Sequence, residues 1–591
     1  MNKSVLGDSN KSTGSYYTPQ VVADFIVRKS AIQWLKRKCG LDSETGLTNS
    51  QKLAVLLNLK NVRILDPSVG DGAFLIAIAE WLFETRIRFG DNTPHWKIKE
   101  EIVRSNLYGV DIQSKALNEC RRRLAKWTSH NVSSQGDAPN IKRGNSLIGE
   151  IRFEGQGAVE EYSHSRKLKP FHWEIEFPEV LLDNGGFDII IGNPPYGNLV
   201  TQDEKAIISQ TYPNDIMNGR RGTWNIAPLF IVRSNQLLNE TGELALLVPN
   251  SILRVGQFSK TREFLRDKLN VWCIADEGNP FSDVTLEMVS IFCNQEIPKS
   301  RHRIEIISKR PELGESHSIP RKALSSNRIF PLYYDSIFEE LLKKGERGTI
   351  SASRGRDIPS AHVRNREKGE FNIPYITKGR SITRYLISEP HLRYADDWFL
   401  SDSGLRQSYE NTLLVATKNY PFPRCVLKPR GIIHGGGIVN IQPHREGTDL
   451  AFLGLVLNSR LVRYTCIRYL TNYARLTTCM NTGIMEEIPI LYPDDPGVYS
   501  DLFHALQQGY SERLEYGKLM AIERIADALV YSIYFNLNDS SFSIQDLAST
   551  TDMHDQGRWS ELSNESEMNK LVNQILDHPI VKSIESSPRM N

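Results

Sequence analysis

Residues 62–88 read VRILDPSVGDGAFLIAIAEWLFETRIR: an apolar run, a glycine-rich turn and a stretch typical of a helix. Continuous apolar strands that alternate with helices are typical of a parallel sheet covered on both faces. Such a sheet binds ligands at the carboxyl ends of its strands. The sequence therefore predicts an α/β fold over about residues 1–300. Further apolar runs that support this prediction are LYGVD (107–111), FDIII (187–191), ELALLVP (243–249), VWCIAD (271–276) and MVSIFC (288–293).

The composition is that of an ordinary globular protein, with 591 residues, 40% of them hydrophobic and 24% charged. This excludes a collagen, a coiled-coil rod and a wholly disordered chain. The net charge of +2 indicates no particular partner. The seven cysteines include no C-x-x-C pair, so we expect reduced core thiols, no disulfides and no metal site. Because there is no apolar leader and no run of ~18 apolar residues, we expect a cytoplasmic protein that does not span a membrane.

The pattern changes after residue 300, and we expect a linker over 301–345 before a second domain at 346–500. Within that domain, residues 411–480 hold nine Lys and Arg against two Asp and Glu. A basic region inside a nearly neutral chain is the charge pattern of a nucleic-acid interface, although a solvated surface that happens to be basic gives the same count. From 501 to 591 we expect a helical segment that ends in a polar tail.

The tetrapeptide Asn193-Pro194-Pro195-Tyr196 directly follows the strand FDIII and Gly192. Its two prolines fix the backbone and remove two N–H donors. The Asn193 side-chain oxygen and the Pro194 carbonyl can each accept an N–H, and the Tyr196 ring can stack on a planar group. The tetrapeptide therefore suits a planar ligand with an exocyclic amine. The alternative is a simple Pro-Pro loop after a turn-initiating asparagine.

Three strand-end loops are candidates for a cofactor site. The turn Asp66–Gly72 joins a strand to a helix, and its acid suits a ligand with an ammonium group; it is not a dinucleotide fingerprint, because Leu75 stands where the third glycine would be. Asp111 ends the next strand, where an acid can accept hydrogen bonds from two ribose hydroxyls. Asn145, in the loop KRGNSL (142–147), can accept a hydrogen bond from an adenine amine, although a polar turn is the alternative.

Taken in order, these segments resemble the adenine-N6 DNA methyltransferases of bacterial restriction–modification systems, specifically the gamma group typified by the Taq-type enzymes. The resemblance extends from near residue 14 to near 535. The segments that carry it are GSYYTPQVVADFIV (14–27), DPSVGDG (66–72), YGVDIQSKAL (108–117), FHWEIEFPEV (171–180), GGFDIIIGNPPYG (185–197), PLFIVRSNQLLNETGELALLVPNSIL (228–253), PYITKGRSITRY (374–385), FLGLVLNSRLVRY (452–464) and LTTCMNTGIMEEIPI (476–490).

The resemblance implies a Rossmann-like S-adenosylmethionine-dependent methyltransferase domain at 1–300 with a mainly parallel seven-stranded sheet. It also implies a mixed α+β target-recognition domain at 346–500 that binds double-stranded DNA. The implied enzyme is a site-specific DNA-methyltransferase (adenine-specific), EC 2.1.1.72, the protective methylase of a restriction–modification system. We expect a monomer. We also expect a separately encoded restriction endonuclease, because the sequence has no convincing P-D…(D/E)-x-K nuclease pattern and starts almost at its first methyltransferase motif.

The resemblance also assigns roles to residues. It implies that S-adenosylmethionine is bound by Thr18, Asp66, Pro67, Ser68, Gly70, Gly72, Asp111, Ile112, Asn145 and Ser146. It implies that Asn193, Pro194, Pro195 and Tyr196 hold an adenine flipped out of the duplex. Phe292 falls where the family places a second aromatic, although an ordinary core phenylalanine is the alternative. Many members carry Asp in place of Asn145, so that hydrogen bond loses its charge assistance. Lys378, Arg380 and Arg384 are candidates for DNA contacts.

Two other functions remain open at this point. A protein-glutamine methyltransferase also uses the tetrapeptide NPPY, but the large basic C-terminal domain and the Thr18-Pro19 motif count against it. A non-catalytic DNA-binding subunit of a defence complex is the second alternative, and the intact NPPY and glycine-rich turn argue against it. Adenine rather than cytosine is expected because cytosine-N4 enzymes of this type generally have Ser or Asp in place of Asn193.

Overall fold

The computed structural model describes residues 18–587 except 44, 129–137, 152–167, 213–223, 283–284, 299–300, 310–315, 326–328, 389–391, 418–419, 476–479 and 538–564. The described chain divides into two compact units. The first unit consists of residues up to Leu253 and of Gln257–Phe330, and the second of Arg254–Gly256 and the residues from Pro331 onward. Positions 14–17 and 476–479 of the motifs quoted above, and 541–564 of the expected tail, lie outside the described residues.

The first unit is built on a nine-stranded sheet with the order β3-β2-β1-β4-β5-β7-β6-β8-β9. Strands β1 to β5 run parallel to one another, whereas β7 is antiparallel to both β5 and β6. β8 is parallel to β6, and β9 is antiparallel to β8. The strands are β1 (Ile64–Asp66), β2 (Leu107–Asp111), β3 (Ile141–Arg143), β4 (Phe187–Gly192), β5 (Leu238–Pro249), β6 (Asn270–Gly278), β7 (Met288–Asn294), β8 (Arg303–Ser308) and β9 (Ser316–Pro320).

The α/β fold is confirmed, but the expectation of a mainly parallel seven-stranded sheet is replaced by a mixed sheet of nine strands. The connection from β6 to β7, residues 279–287, is too short for the crossover that a parallel pair requires, so β7 turns back antiparallel. The two additional strands, β8 and β9, come from the range 301–345 that the sequence predicted as a linker. β8 alternates buried residues with exposed or half-buried ones instead of forming a continuous apolar run.

The carboxyl ends of β1 to β6 share one edge of the sheet, called here the ligand edge. Every residue of β4 and of β7 is buried, as expected for strands covered on both faces. The helices of this unit are α1 (Gln20–Cys39), α2 (Asn49–Asn61), α3 (Ala73–Arg88), α4 (His95–Glu101), α5 (Ser114–Thr128), α6 (Trp173–Glu176), α7 (Pro178–Leu181), α8 (Gln202–Thr211), α9 (Ala227–Leu237) and α10 (Ser259–Lys268).

An aromatic cluster explains the segment FHWEIEFPEV, which leads into β4. The ring of Phe171 lies 4.8 Å from that of Trp173, and the ring of Tyr108 in β2 lies 5.0 Å from that of Phe177. Tyr108 also packs edge-on against Phe187, the first residue of β4. These contacts join β2 to β4 below the ligand edge, so this motif supports the site through packing.

The second unit contains two four-stranded sheets, β10-β19-β16-β17 and β11-β15-β12-β18, and the hairpin β13-β14. Its strands are β10 (Ile350–Arg354), β11 (Val363–Arg364), β12 (Ile373–Ile376), β13 (Ile382–Thr383), β14 (Leu386–Ile387), β15 (Arg393–Ala395), β16 (Leu413–Thr417), β17 (Cys425–Lys428), β18 (Ile433–His434) and β19 (Ile438–Pro443). Its helices are α11 (Ser336–Lys344), α12 (Ser403–Glu410), α13 (Leu450–Asn458), α14 (Arg460–Thr465), α15 (Thr482–Met485), α16 (Gly497–Ser511), α17 (Tyr516–Phe535), α18 (Glu565–Leu576) and α19 (Pro579–Glu585).

The expected boundary at residue 501 falls inside α16, which packs on α13, so the structure has no break there. Within the expected polar tail, α18 and α19 bury Val572 and Val581 and belong to the fold of this unit. In the described part of the chain, no single helix is long and apolar enough to cross a membrane. The pair Leu450–Asn458 and Arg460–Leu470 reaches that length and hydropathy only when both are taken together across a 56° bend.

Candidate functional site

The turn between β1 and α3 forms the floor of the ligand edge. Gly70 and Gly72 adopt positive φ angles of 54° and 85°, which side chains disfavour, and α3 begins directly afterwards at Ala73. A Cβ atom on Gly72 would lie 2.7 Å from the Cys120 sulfur of α5. Both glycines are therefore required for their backbone conformation. Gly72 is also required because α5 leaves no space for a side chain there.

Asp66 ends β1 and is almost fully buried, at 1% exposure. Its Oδ1 accepts a hydrogen bond of 3.0 Å from the backbone N–H of Ser68. Burial and, to a smaller extent, the nearby charges of Asp111 and Asp71 together raise the pKa of Asp66 to about 8, although the hydrogen bond from Ser68 acts in the opposite direction. A buried acid of this kind is best stabilised in its ionised form by a cationic ligand.

Asp111, the last residue of β2, connects this strand to the glycine-rich turn. Its Oδ2 accepts a hydrogen bond of 3.0 Å from the N–H of Gly70, and its Oδ1 accepts one of 2.8 Å from the N–H of Gln113. Burial raises the pKa of Asp111 as well. Each carboxylate oxygen can accept more than one hydrogen bond, so Asp111 can hold the turn and still accept from a diol.

The end of β4 approaches β1 closely. Gly192, the last residue of β4, leaves so little space that a Cβ atom there would lie 2.7 Å from Asp66 Oδ1. The following Asn193 is half-buried, and its Nδ2 donates a hydrogen bond of 3.2 Å to Thr18 Oγ1. This contact joins residues 175 positions apart, and it orients the Asn193 amide so that its oxygen is directed away from Thr18.

The two prolines and Tyr196 continue from Asn193 along the ligand edge. Pro194 is buried, whereas Pro195 and Tyr196 are half-buried. The Tyr196 ring packs against the hydrophobic core of the first unit. The tetrapeptide therefore combines a rigid backbone with a ring that is supported by the core and remains partly accessible.

The loop after β3 contributes contacts of two kinds. Ser146 is buried and donates a hydrogen bond of 2.6 Å to the Pro67 carbonyl, which ties this loop to the glycine-rich turn. Asn145 donates from Nδ2 to Glu204 Oε1 at 2.9 Å, and its Oδ1 accepts from the N–H of Leu147 at 3.1 Å. The Asn145 oxygen expected to accept from an adenine amine is therefore already used once within the loop.

Ile112 follows β2 and is 38% exposed, which is uncommon for isoleucine beside a polar site. It offers an apolar surface next to Asp111, where a planar ring could pack. Thr18, Asp66, Gly70, Asp111 and Asn193 lie along one edge and take part in its hydrogen bonds and close approaches, and their role in ligand binding stays a prediction.

Phe292 does not join this group, which corrects the expectation that it contacts a substrate. It lies within β7, is fully buried, and packs edge-on against Phe25 and at a tilt against Trp272. Phe281 lies in the β6–β7 connection, which leaves β6 at the ligand edge, and it is also buried, at 7% exposure, in the same core cluster.

The three candidate DNA contacts lie in the second unit, and they differ in how exposed their side chains are. Lys378 and Arg380 are exposed in the turn between β12 and β13. Arg384 is instead directed inward, where it donates to Glu523 Oε2 at 2.6 Å and to the Asn458 carbonyl at 3.2 Å. Arg384 is therefore already paired with an internal carboxylate, and its contact with DNA stays a prediction.

Comparisons with known proteins agree with this site. Residues 105–280 match the family described as "Eco57I restriction-modification methylase". The chain is 26% identical over 419 residues to the "Putative type II restriction enzyme and methyltransferase RM.MjaORFECS2P" of Methanocaldococcus jannaschii, covering 64% of this chain and 33% of that protein. It is 24% identical over 290 residues to "Type II methyltransferase M.BstVI" of Geobacillus stearothermophilus, covering 49% of this chain and 43% of that protein.

A solved structure shows the same fold. The "Type IIL restriction-modification enzyme MmeI in complex with DNA" superposes with a TM-score of 0.57 at 12% identity, over 91% of this chain and 78% of that one. The chain spans 33% of the length of the Methanocaldococcus relative and 43% of the length of the Geobacillus relative. Over residues 105–280 the chain is similar to restriction–modification methylases of the Eco57I type, and this range includes Asp111, Asn145 and the tetrapeptide Asn193–Tyr196.

Proposed function

We propose that this protein is a site-specific DNA methyltransferase that transfers a methyl group from S-adenosylmethionine to the N6 amine of an adenine in a short double-stranded sequence. The observation that carries the proposal is the connection of Asn193, at the end of β4, to Thr18 on one side and, through Gly192, to Asp66 on the other. The family match over residues 105–280 includes the same tetrapeptide.

The residues at the ligand edge fit S-adenosylmethionine. A Cβ atom on Gly70 would meet only the Ser68 carbonyl at 3.9 Å, so the turn is open there, and Asp66 offers a buried acid for the ammonium group. Asp111 would accept from the ribose hydroxyls, and the exposed Ile112 would cover one face of the adenine. When bound, S-adenosylmethionine supplies a methyl group already activated by its sulfonium.

The chain's own contribution to the chemistry is positioning. The Asn193 oxygen and the Pro194 carbonyl would each accept one hydrogen of the target amine, which orients the nitrogen lone pair towards the methyl group. Alignment of this kind can supply ~7–11 kcal/mol of the barrier. A dedicated base is not required, because the proton can leave the product ammonium after transfer.

The target base must leave the DNA stack before it can reach Asn193, at a cost of a few kcal/mol. Stacking on Tyr196 would return ~1–3 kcal/mol of that cost. Phe281, in the β6–β7 connection, is the candidate for the second wall of the base pocket. The second unit would bind the phosphate backbone through exposed side chains such as Lys378 and Arg380.

The biological role that fits this activity is the protective methylase of a restriction–modification system. We propose that the chain acts as a monomer and that a separately encoded endonuclease cleaves the same sequence. The Methanocaldococcus relative is named as both a restriction enzyme and a methyltransferase, and this chain covers 33% of its length. The proposal for this chain is therefore confined to methyl transfer.

Labelled S-adenosylmethionine and plasmid DNA test the proposal directly. The wild type should transfer label to DNA, and enzymatic digestion followed by mass spectrometry should give N6-methyladenine. Asn193→Ala is the matched inactive control. Recovery of N4-methylcytosine would refute the choice of base, and label found only on protein would support a protein-glutamine methyltransferase. DNA binding without any transfer would support a non-catalytic subunit.

A further inference from the structure

A cavity of about 280 Å³ in the second unit is lined by three arginines. It lies beside the β13–β14 hairpin, the start of β17 and helix α14. Arg384, Arg424 and Arg463 contribute the charge, and Phe422 and Tyr510 contribute aromatic surface. None of these residues belongs to the ligand edge.

The Arg424 side chain packs on aromatic rings. Its guanidinium carbon lies 3.6 Å from the centre of the Tyr420 ring and 5.8 Å from that of Phe422. Arg463 lies 4.9 Å from the same Phe422 ring. Among the described residues, Arg424 forms no ion pair with a carboxylate. A ring quadrupole orients a guanidinium without cancelling its charge, so Arg424 is fixed in place and still able to pair with an anion.

Arg384 is fixed by a different set of contacts. It donates to Glu523 Oε2 and to the Asn458 carbonyl, and the other oxygen of Glu523 accepts a hydrogen bond of 2.6 Å from the Tyr510 hydroxyl. The Glu523 carboxylate therefore holds both Arg384 and Tyr510 in place beside the cavity.

The backbone beside the cavity is strained. Tyr385 has a φ angle of 65°, which is uncommon for a residue with a bulky side chain. Its N–H donates to the Cys425 carbonyl at 3.0 Å, and its buried ring stacks on Tyr510 at 5.9 Å. Strained conformations of this kind persist only where the surroundings over-determine them, and they cluster at binding sites.

The arginines also affect one another. Burial lowers the pKa of Arg463, and the neighbouring charges of Arg384, Arg460 and Arg424 lower it further, whereas the charge of Glu585 acts in the opposite direction. An anion between the guanidinium groups would relieve this repulsion. Planar guanidinium forks match the oxygens of phosphate, and each charge-assisted hydrogen bond is about twice as strong as a neutral one.

We propose that the cavity lined by Arg384, Arg424 and Arg463 binds a phosphate group. The phosphate is either a free ion or small phosphate ester, or a backbone phosphate of DNA; both present the same oxygens to the same arginines. The proposal extends beyond methyl transfer, because the free-phosphate form requires no DNA. It is also independent of the ligand edge, where cofactor binding can be measured separately.

The test compares the full chain with Arg424→Gln and Arg424→Lys. The control is Arg445→Gln, because Arg445 is an exposed arginine that also lies over an aromatic ring, 5.6 Å from the centre of Tyr492, but outside the cavity. Binding of inorganic phosphate is measured by calorimetry at constant ionic strength, with acetate as the comparison anion. Affinity for a short DNA duplex is measured over a range of salt concentrations. Circular dichroism checks that each variant is folded.

If the ligand is free phosphate, the wild type binds inorganic phosphate more tightly than acetate. Arg424→Gln then weakens binding about ten- to a hundredfold, Arg424→Lys weakens it less, and Arg445→Gln has no effect. If the ligand is a DNA phosphate, inorganic phosphate binds weakly, but Arg424→Gln makes the slope of log affinity against log salt shallower by about 0.9 while Arg445→Gln has a smaller effect. The proposal is overturned if folded Arg424→Gln matches the wild type in both measurements, or if acetate and phosphate bind equally and the salt slopes coincide.

Discussion

Asp66 is a carboxyl group that the fold buries at the end of β1, and we expect Asp66→Asn to stabilise the first unit at neutral pH while weakening cofactor binding. Burial, followed by the charges of Asp111 and Asp71, raises the pKa of Asp66 from its ordinary 3.8 to about 8. A carboxyl group with a raised pKa in the folded state contributes stability that is complete below the unfolded pKa. This contribution is lost as pH rises through the folded pKa.

The size of the effect follows from the pKa difference. Each pH unit between the two pKa values removes about 1.4 kcal/mol from the free energy of unfolding. The interval from 3.8 to about 8 therefore removes several kcal/mol in the wild type. Asp66→Asn carries no titrating group, so its stability relative to the wild type should rise steadily over this interval and level off above about pH 8.

Urea unfolding followed by tryptophan fluorescence measures this difference. Seven of the nine tryptophans lie between residues 34 and 272, so the signal reports mainly on the first unit. Asp91→Asn is a control of opposite sign: burial alone would raise the pKa of Asp91, but hydrogen bonds from Thr93 and Arg86 outweigh it and lower the pKa to about 2. That stabilisation is present above the unfolded pKa and is lost as pH falls through about 2, so Asp91→Asn should be less stable than the wild type at neutral pH.

Cofactor binding completes the test. The ammonium group of S-adenosylmethionine would favour the ionised form of Asp66. The wild type should therefore bind S-adenosylmethionine more tightly as pH rises from about 6 to 8. Asp66→Asn should bind it weakly and without this pH dependence. A stability difference between Asp66→Asn and the wild type that stays constant with pH would show that Asp66 is ionised in the folded protein. That result would refute the reasoning.

Four further predictions concern the two units. Asp111→Ala should weaken S-adenosylmethionine binding in a calorimetric titration, whereas Asn193→Ala should leave binding largely intact and abolish methyl transfer; equal loss of affinity in both would contradict the assignment. Tyr196→Ala should cost about 1–3 kcal/mol in binding of the flipped base and brighten 2-aminopurine placed at the target, while Tyr196→Phe should be mild; unchanged emission and turnover would exclude contact with the base. Phe292→Ala should lower the free energy of unfolding by about 3–5 kcal/mol because it leaves a cavity, with the KM for DNA unchanged; a raised KM at unchanged stability would restore its substrate role. DNA affinity should fall with salt at a slope of about −0.9 per phosphate contact, and a chain ending at Phe330 should lose it; retained affinity would move the DNA site into the first unit.

Much of the ligand edge could be predicted because its determinants are local. The turn after β1 depends on glycines with positive φ angles, and the end of β4 depends on two prolines that fix the backbone. The hydrogen bond from Asn193 to Thr18 joins residues 175 positions apart, and no spacing within the sequence indicates it. The pairing of Arg384 with Glu523 could not be predicted for the same reason, since Glu523 lies 139 positions away on α17.

The direction of β7 explains why Phe292 does not lie at the ligand edge. Phe292 stands near the C-terminal end of its strand, and in a parallel sheet that end would lie at the ligand edge. β7 is antiparallel to β5, so its first residue, Met288, pairs with Pro249 at the ligand edge, and Phe292 pairs with Ala245 deeper in the sheet. The nine residues that separate β6 from β7 are fewer than the dozen or so that a parallel crossover requires. Counting that connection would have reversed the strand and directed attention to Phe281, the aromatic residue that the connection itself contains.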